Sequence, residues 1–263
     1  MINSLRVRAN SPWLTLAITA AAYLAFIIVR LNLHNGDASV FVAAGDRYVD
    51  ALQSPSGLAV RPDSDGYDGQ FYYRLALEPF PERRTDFGIT LDSPAWRQQR
   101  IVYPLLARGL ALGQSGALPA ALVVVNFLAL CGIGWLGGAF AQRLNRHALW
   151  GLGLSFYPGF LFTLARDTTE IVEVAWVLAG MGCVLRQRAW WAALFFTLAV
   201  LTKETSVLAV AGVGAAYVLG QRKVIAPQTF VIPGLVLVGW QVYLFQHWGQ
   251  WPVTGSGADL GWP

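Results

Sequence analysis

Residues 117–141 read ALPAALVVVNFLALCGIGWLGGAFA and contain no charged side chain. A helix needs about 20 apolar residues to cross the hydrocarbon core of a bilayer, so this run predicts a transmembrane helix. The composition of the whole chain agrees, because 55% of its 263 residues are hydrophobic and only 13% are charged. Soluble domains have roughly 25% charged residues. Most of the chain is therefore expected to contact lipid or other apolar helices rather than water.

Six further apolar runs are candidates for membrane spans. They cover residues 12–29, 148–165, 168–185, 189–202, 205–220 and 224–245. The sequence therefore predicts an all-α integral membrane protein with about seven transmembrane helices. We expect a single membrane domain over residues 1–263, with a large outer loop at 31–116 and a transmembrane bundle at 117–246.

The short loops between the apolar runs alternate in charge. Loops 143–147, 186–188 and 221–223 carry basic residues and no acid, whereas turns 166–170 and 202–205 carry both signs. Basic loops stay on the cytoplasmic side of a membrane. The pattern predicts a cytoplasmic N-terminus, with the mixed turns and the C-terminus outside. Because the bases are spread over short loops, they do not form the patch of a nucleic-acid-binding protein.

The predicted outer loop, residues 31–116, holds most of the acidic residues of the chain. Its apolar content is too high for disorder. Residues 40–52 and 71–77 read as short amphipathic helices that rest on the membrane surface. Residues 101–112 are too few for a span and include Arg108, so we expect a helix in the membrane interface there.

Charged and titratable side chains of the outer loop and outer turns are the candidate site residues. They are His34, Asp37, Asp68, Arg166, Asp167, Glu170, Lys203 and Glu204. Acids and bases that separate helices bring to one face are the usual ingredients of an active site. Glu170 and Glu173 are one helical turn apart and share a face. Glu173 is expected inside the bilayer, where an ionisable residue is a functional candidate.

These residues also have purely structural interpretations. Arg166, Glu170 and Lys203 can pair with one another and tie two turns together. Asp68 can be an Asp-Gly turn residue that binds its own backbone. Asp37 can cap a helix.

Metal and nucleotide motifs are not recognisable in the sequence. The Asp-Ser-Asp run at 63–65 lacks the spacing of a calcium loop and reads as a solvated turn. No cysteine and histidine set has zinc spacing, and no glycine loop reads as a phosphate cradle. No cofactor is predicted with certainty, and a divalent cation stays open.

Five motifs in a fixed order resemble those of a known family. They are Asp37 after the first apolar run, YDGQFYYRLA at 67–76, Tyr-Pro-Leu at 103–105, YPGFLFTLARDTTE at 157–170 and LTKETS at 201–206. The order is similar to that in the polytopic glycosyltransferases of the GT-C fold. The nearest type is the PIG-V-like family, which contains the second mannosyltransferase of GPI-anchor synthesis and bacterial relatives.

The resemblance implies a transferase that moves a mannose-like hexose from a polyprenyl-phosphate donor to a hydroxyl of a lipid or glycan acceptor. It implies a site on the periplasmic side of a bacterial inner membrane, among membrane lipids. Asp68 and Asp37 match acidic positions that activate the acceptor, and Lys203 and Arg166 match in kind the bases that hold the donor phosphate. The supporting positions are Glu170, Asp167, Glu173, Tyr67, Gln70, Tyr72 and His34.

Two other functions stay open at this point. One is a transporter or lipid scramblase in which Glu173, Arg166 and Lys203 line a path. Transporters usually show internal repeats, and the sequence has none that we recognise. The other is a non-catalytic scaffold that keeps the fold without the activity.

Overall fold

A computed structural model describes residues 10–220 and 226–254, which are mostly helical. The helices, in chain order, are α1 Pro12–Leu33, α2 Gly69–Leu77, α3 Pro94–Gln98, α4 Val102–Leu110, α5 Leu118–Arg143, α6 Leu152–Ser155, α7 Gly159–Leu164, α8 Glu170–Leu185, α9 Ala189–Thr202, α10 Ser206–Leu219 and α11 Gln228–Trp248. Two short strand pairs, which the sequence did not predict, lie between α1 and α3. Strand β1 Ala44–Gly45 runs parallel to β2 Val60–Arg61, and β3 Thr85–Asp86 runs antiparallel to β4 Ile89–Thr90.

Three of the described helices are long and apolar enough to cross a membrane: α1, α5 with the 3₁₀ turn before it, and α11. The predicted runs at 12–29 and 117–141 are confirmed as helices of this kind. Helices α9 and α10 are apolar but have 14 residues each, and α8 has 16. The predicted basic loop at 221–223 and the first two residues of the run at 224–245 lie outside the described residues.

The segment 148–165 is not the continuous helix that its hydropathy predicts, and that prediction is wrong. A 3₁₀ turn at Ala148–Gly151 leads into α6, and α7 begins only after a break at 156–158. Pro158 explains the break. Its ring removes a backbone N–H and disfavours helical geometry at the residue before it.

Side chains of α1 bind the backbone and the side chain at the end of α6. Tyr23 Oη donates to the carbonyl of Ser155 at 2.6 Å, and the hydroxyls of Thr19 and Ser155 are hydrogen-bonded at 2.9 Å. All three residues are buried or nearly so. The carbonyl that the break leaves without a helical partner is therefore satisfied by the neighbouring helix.

Residues 40–52 do not form the predicted amphipathic helix, and this prediction is wrong as well. Ala38–Phe41 is a 3₁₀ turn, and strand β1 follows it. The carboxylate of Asp46 accepts hydrogen bonds from the backbone N–H groups of Asp63 and Ser64 at 2.9 and 3.0 Å. A side chain that binds a distant backbone in this way competes with a local helix.

The helix predicted at 71–77 is confirmed as part of α2, but it does not rest on a surface. Eight of its nine residues are buried, so the prediction of a helix with one exposed face is wrong. Gln70 shows why, since its polar atoms are used internally. Its Oε1 accepts from the Gly45 N–H at 3.1 Å, and its Nε2 donates to the Asp65 carbonyl at 2.9 Å.

The outer segment packs directly onto α5. Tyr72 and Tyr73 of α2, Tyr103 of α4, and Leu118 and Leu122 of α5 belong to one buried cluster. Aromatic side chains contribute the largest buried areas in such cores. This cluster therefore holds α2, and the turn before it, against a helix of membrane-spanning length. The helix predicted near 101–112 is confirmed as α4.

Candidate functional site

Three turns that the sequence assigns to the outer side meet in the structure. They precede α2, join α7 to α8, and join α9 to α10. The ammonium of Lys203 lies 2.8 Å from Glu170 Oε1 and connects the last two turns. Arg100, between α3 and α4, lies 2.8 Å from Glu204 Oε1 and connects the outer segment to the same place.

The Tyr-Asp-Gly sequence at 67–69 joins the first turn to the second. The ring of Tyr67 lies 4.4 Å from the guanidinium carbon of Arg166. A Cβ atom at Gly69 would overlap the Arg166 carbonyl, so only glycine lets α2 begin this close to the turn. Asp68 is the N-cap residue of α2 but makes no capping hydrogen bond. The structural interpretation required the Asp68 carboxylate to bind the backbone of its own turn, and it does not.

Asp68 is the middle carboxylate in a chain of five charges. Its Oδ1 lies 2.8 Å from Arg97, and its Oδ2 lies 3.7 Å from Arg100. Arg97 binds Asp92 through hydrogen bonds of 2.7 and 2.6 Å, and Arg100 binds Glu204 through hydrogen bonds of 3.0 and 2.8 Å. Bidentate pairs hold both partners in a fixed orientation. The Asp68 side chain is still 29% exposed, so it is held in place and reachable.

The outer acids of this chain are ionised by their arginine partners. Burial raises the pKa of Glu204, but the hydrogen bonds and the charge of Arg100 outweigh burial, and the pKa falls below its ordinary value. Asp92 beside Arg97 shows the same balance and the same downward direction of its pKa. The Trp96 ring covers both guanidinium groups, with its centroid 4.2 Å from one and 4.6 Å from the other. Such contacts favour the cationic forms.

Arg166 lies in a cleft of about 580 Å³. Its guanidinium contacts the ring of Tyr67 and, at 5.4 Å, the ring of Phe162. Among the described residues it forms no salt bridge, whereas Arg97, Arg100 and Lys203 all do. The lining of the cleft combines polar and apolar side chains, which include Tyr67, Leu154, Tyr157, Thr163, Glu170 and Glu173.

Lys203 differs from Arg166 because it already has an anionic partner. Glu170 binds it and also accepts from the hydroxyl of Thr168 at 2.5 Å. Glu173 accepts from the hydroxyl of Ser206 at 2.8 Å. Both glutamates line the Arg166 cleft, in agreement with their spacing on one helix face. The interpretation that ion pairing ties two turns together is confirmed for Lys203 and not for Arg166.

In the part of the chain that the structure describes, Asp37 and His34 form no side-chain hydrogen bond or salt bridge with the cleft residues. Asp37 Oδ1 accepts from the Ser39 N–H at 2.8 Å and caps the 3₁₀ turn, as its structural interpretation predicted. His34 ends α1 and is exposed.

The remaining predicted residues lie behind the cleft. Tyr72 is fully buried, and its Oη accepts from Arg100 at 3.1 Å. Burial raises the pKa of Tyr72 to about 12. Asp167 is also fully buried, next to Arg166 in the chain. Gln70 supports the start of α2 through its contacts with β1 and the preceding turn.

Sequence reasoning missed Arg97 and Arg100. The signal was the run Trp-Arg-Gln-Gln-Arg at 96–100, which places two arginines three residues apart beside a tryptophan in the segment that holds most of the acidic residues. Residues at that spacing share one side of a helix. The run therefore indicated a paired basic site opposite the acids of the same segment.

Within residues 10–220 and 226–254, no group of three His, Cys, Asp or Glu side chains is placed to hold a metal ion. The Asp-Ser-Asp run at 63–65 fits its interpretation as a solvated turn, since Asp65 forms an exposed pair with Arg47 at 2.7 Å.

Comparison with known proteins finds no match for the chain, either among protein families or among curated proteins and solved structures. A functional conclusion therefore depends on the geometry and chemistry of the site.

Proposed function

We propose that the protein is a membrane glycosyltransferase of GT-C type, which moves a hexose from a polyprenyl-phosphate donor to a hydroxyl of a lipid or glycan acceptor. One observation carries the proposal. The Asp68 carboxylate is fixed by two arginines and remains 29% exposed, one residue from the ring that stacks on Arg166. Transfer from a lipid phosphate requires a base for the acceptor hydroxyl and a cation for the phosphate. The Asp68 carboxylate and the Arg166 guanidinium in the cleft can serve these two purposes.

The Arg166 cleft suits an amphiphilic phosphate. A guanidinium binds phosphate by two parallel hydrogen bonds, and this one has no salt bridge to compete within the described residues. The rings of Tyr67 and Tyr157 offer faces for a sugar or an isoprenoid unit, and Leu154 lines the apolar part. The helix break at 156–158 borders the same cleft. Non-helical backbone at membrane depth is tolerated where it lines a cavity or is buried in protein.

The proposed reaction is a displacement at the anomeric carbon of the donor. The acceptor oxygen forms the new bond to that carbon, and its proton passes to the Asp68 carboxylate. The bond between the anomeric carbon and the phosphate oxygen breaks, and the polyprenyl phosphate leaves with the electron pair. Arg166 stabilises the negative charge on the leaving phosphate. Arg97 and Arg100 hold Asp68 in place through this step.

We also propose the seven-span topology, with the N-terminus in the cytoplasm and the site on the periplasmic side of a bacterial inner membrane. The meeting of the three outer turns supports it. So does a contact on the predicted inner side, where Arg143 Nη2 of the loop 143–147 donates to the carbonyl of Leu185, the last residue of the run 168–185, at 3.0 Å. Helices α8, α9 and α10 are roughly 21–24 Å long at 1.5 Å per residue. Helices of that length cross where the bilayer thins or flanking residues snorkel.

Asp68→Asn tests the proposed function. Arg97 and Arg100 keep their other carboxylate partners in this variant, so the fold should persist. Transfer of labelled hexose from a polyprenyl-phosphate donor to membrane lipid should fall by about a hundredfold or more, because the base is lost. Asp65→Asn is the matched control, since it removes a carboxylate of the same segment from an exposed pair. Wild-type activity in Asp68→Asn, or no transfer by the wild type from any such donor, would contradict the proposal.

A further inference from the structure

The turn that carries Arg166 has an aspartate at its left-handed position. The N–H of Thr168 donates to the carbonyl of Thr163 at 3.2 Å and closes the end of α7, with Asp167 between them at a φ of 47°. Glycine usually occupies this position, because it has no Cβ atom to clash in the left-handed backbone. Aspartate and asparagine adopt this backbone more readily than most other residues, so the contacts of the Asp167 side chain decide whether it has a further role.

The Asp167 side chain belongs to a polar network inside the core. Its Oδ1 lies 3.5 Å from Tyr103 Oη. That oxygen accepts from Asn126 Nδ2 at 2.8 Å and is 3.1 Å from the carbonyl of Leu122. Asn126 Nδ2 also donates to the carbonyl of Thr168 at 3.2 Å. The network therefore connects α4 and α5 to Asp167 and Thr168 of the turn.

Asn126 is a polar residue in the longest apolar helix, and it is fully buried. Polar groups in such a helix are costly unless they are hydrogen-bonded. Both contacts of its amide nitrogen lead to the Arg166 turn or to the tyrosine beside it. The apolar packing of α5 alone does not require this side chain.

The buried position of the Asp167 carboxyl favours its neutral form, which can take part in hydrogen bonds. Burial raises the pKa of this carboxyl well above its ordinary range, and the hydrogen bond with Tyr103 and the charge of Arg30 offset only part of that. A protonated carboxyl can donate to Tyr103 Oη. The amide of an asparagine can make the same contact, and asparagine tolerates the left-handed backbone better than most residues.

We propose that Asp167 is a positioning residue, which through Tyr103 and Asn126 fixes the turn so that the Arg166 guanidinium lies in the cleft. Adjacent residues of one turn project to opposite sides here, Asp167 into the core and Arg166 into the cleft. Anchoring the first therefore fixes the direction of the second. The inference rests on the proposed function in so far as Arg166 binds the donor phosphate.

Two substitutions separate the side chain from the backbone. Asp167→Gly relieves the left-handed backbone and removes the anchor, whereas Asp167→Asn keeps the anchor. The full chain in detergent is titrated with a short-chain polyprenyl phosphate. We expect Asp167→Gly to bind it about tenfold more weakly or worse, as is usual when the partner that orients a ligand-binding group is lost. Asp167→Asn should bind like the wild type. Wild-type affinity in Asp167→Gly, or equal losses in both variants, would overturn the proposal.

A second measurement does not depend on the donor. Phenylglyoxal modifies accessible guanidinium groups, and peptide mass spectrometry gives the rate at each arginine. Relative to exposed Arg146, Arg166 should react faster in Asp167→Gly than in the wild type, and unchanged in Asp167→Asn. Unchanged rates in Asp167→Gly would overturn the inference. If the rates change as expected but the wild type binds no polyprenyl phosphate, the positioning role stands and the proposed function fails.

Tyr103→Phe covers the case in which Asp167→Gly does not fold. It removes one oxygen and keeps the ring in the buried cluster. We expect the same faster modification of Arg166 and weaker binding of the polyprenyl phosphate. Wild-type values for both quantities in Tyr103→Phe would contradict the network as the anchor of the turn.

Discussion

Replacing Arg166 by glutamine should weaken donor binding more than any other single change of a cation in this region. The side chain is half-buried, stacks on two aromatic rings and has no salt bridge within the described residues. Its positive charge is therefore available to a phosphate. Loss of a bidentate, charge-assisted contact costs about 2–3 kcal/mol, which corresponds to roughly 30- to 150-fold in Kd. Arg166→Lys keeps the charge and loses the fork geometry, so about tenfold is expected.

The assay is equilibrium binding of a labelled polyprenyl phosphate to purified variants in detergent, at one fixed ionic strength. Lys203→Gln is the informative comparison, because Lys203 already binds Glu170. Breaking that partly exposed pair should cost about 1 kcal/mol of stability or less. It should weaken donor binding less than Arg166→Gln does. Arg47→Gln removes a cation of the outer segment from an exposed pair with Asp65 and controls for net charge.

Two results would refute this reasoning. Equal affinity in the wild type and Arg166→Gln would remove the donor-phosphate site from the cleft. An equal loss of affinity in Lys203→Gln and Arg166→Gln would show that the ion pair of Lys203 with Glu170 does not keep Lys203 from binding the donor phosphate.

Three further predictions follow from the same geometry. Gly69→Ala should lower transfer by about tenfold or more, because its Cβ displaces the adjoining turn, and Gly116→Ala, which has open space, should not. The pKa of Glu204 is lowered in the folded state, so the ionised side chain stabilises the fold above about pH 4.5 and loses this effect as the pH falls further. The difference in Tm between the wild type and Glu204→Gln should therefore vanish in acid. In the proposed topology, an impermeant thiol reagent should label Leu52→Cys from outside intact cells and should not reach Arg146→Cys, and the reverse pattern would contradict the orientation.

The long apolar helices could be predicted from the sequence, and the broken segment could not. Hydropathy over the runs at 12–29 and 117–141 is uniform, and a helix is the way an isolated apolar chain satisfies its backbone groups. The run at 148–165 is also free of charged residues and long enough for a span. Pro158 breaks the helix there. The carbonyl of Ser155 accepts from Tyr23 of α1, and no local sequence pattern predicts this contact.

The site was predictable where neighbouring residues carry it. The Tyr-Asp-Gly run and the turn around Arg166 were both identified, and the structure brings them into contact. The pairing of Arg100 with Glu204 joins residues far apart in the chain and depends on tertiary packing. For Asp37 the position in the sequence was clear but the role was not, because a capping aspartate and a catalytic aspartate after a helix have the same sequence pattern. Its contacts fit a cap, and its catalytic role stays a prediction.

In the proposed topology, α1 leaves the ribosome and reaches the bilayer before the segment 148–165 does. A straight apolar helix can insert alone, because its backbone groups bond within it. If the later segment inserted alone, its Ser155 carbonyl would lack the hydroxyl of Tyr23 as a donor, and an unpaired carbonyl in lipid costs free energy. Its stable position in the lipid is therefore beside a helix that is already there. The helix that inserts first thus carries the hydrogen-bond donor, and the segment that inserts later carries the acceptor.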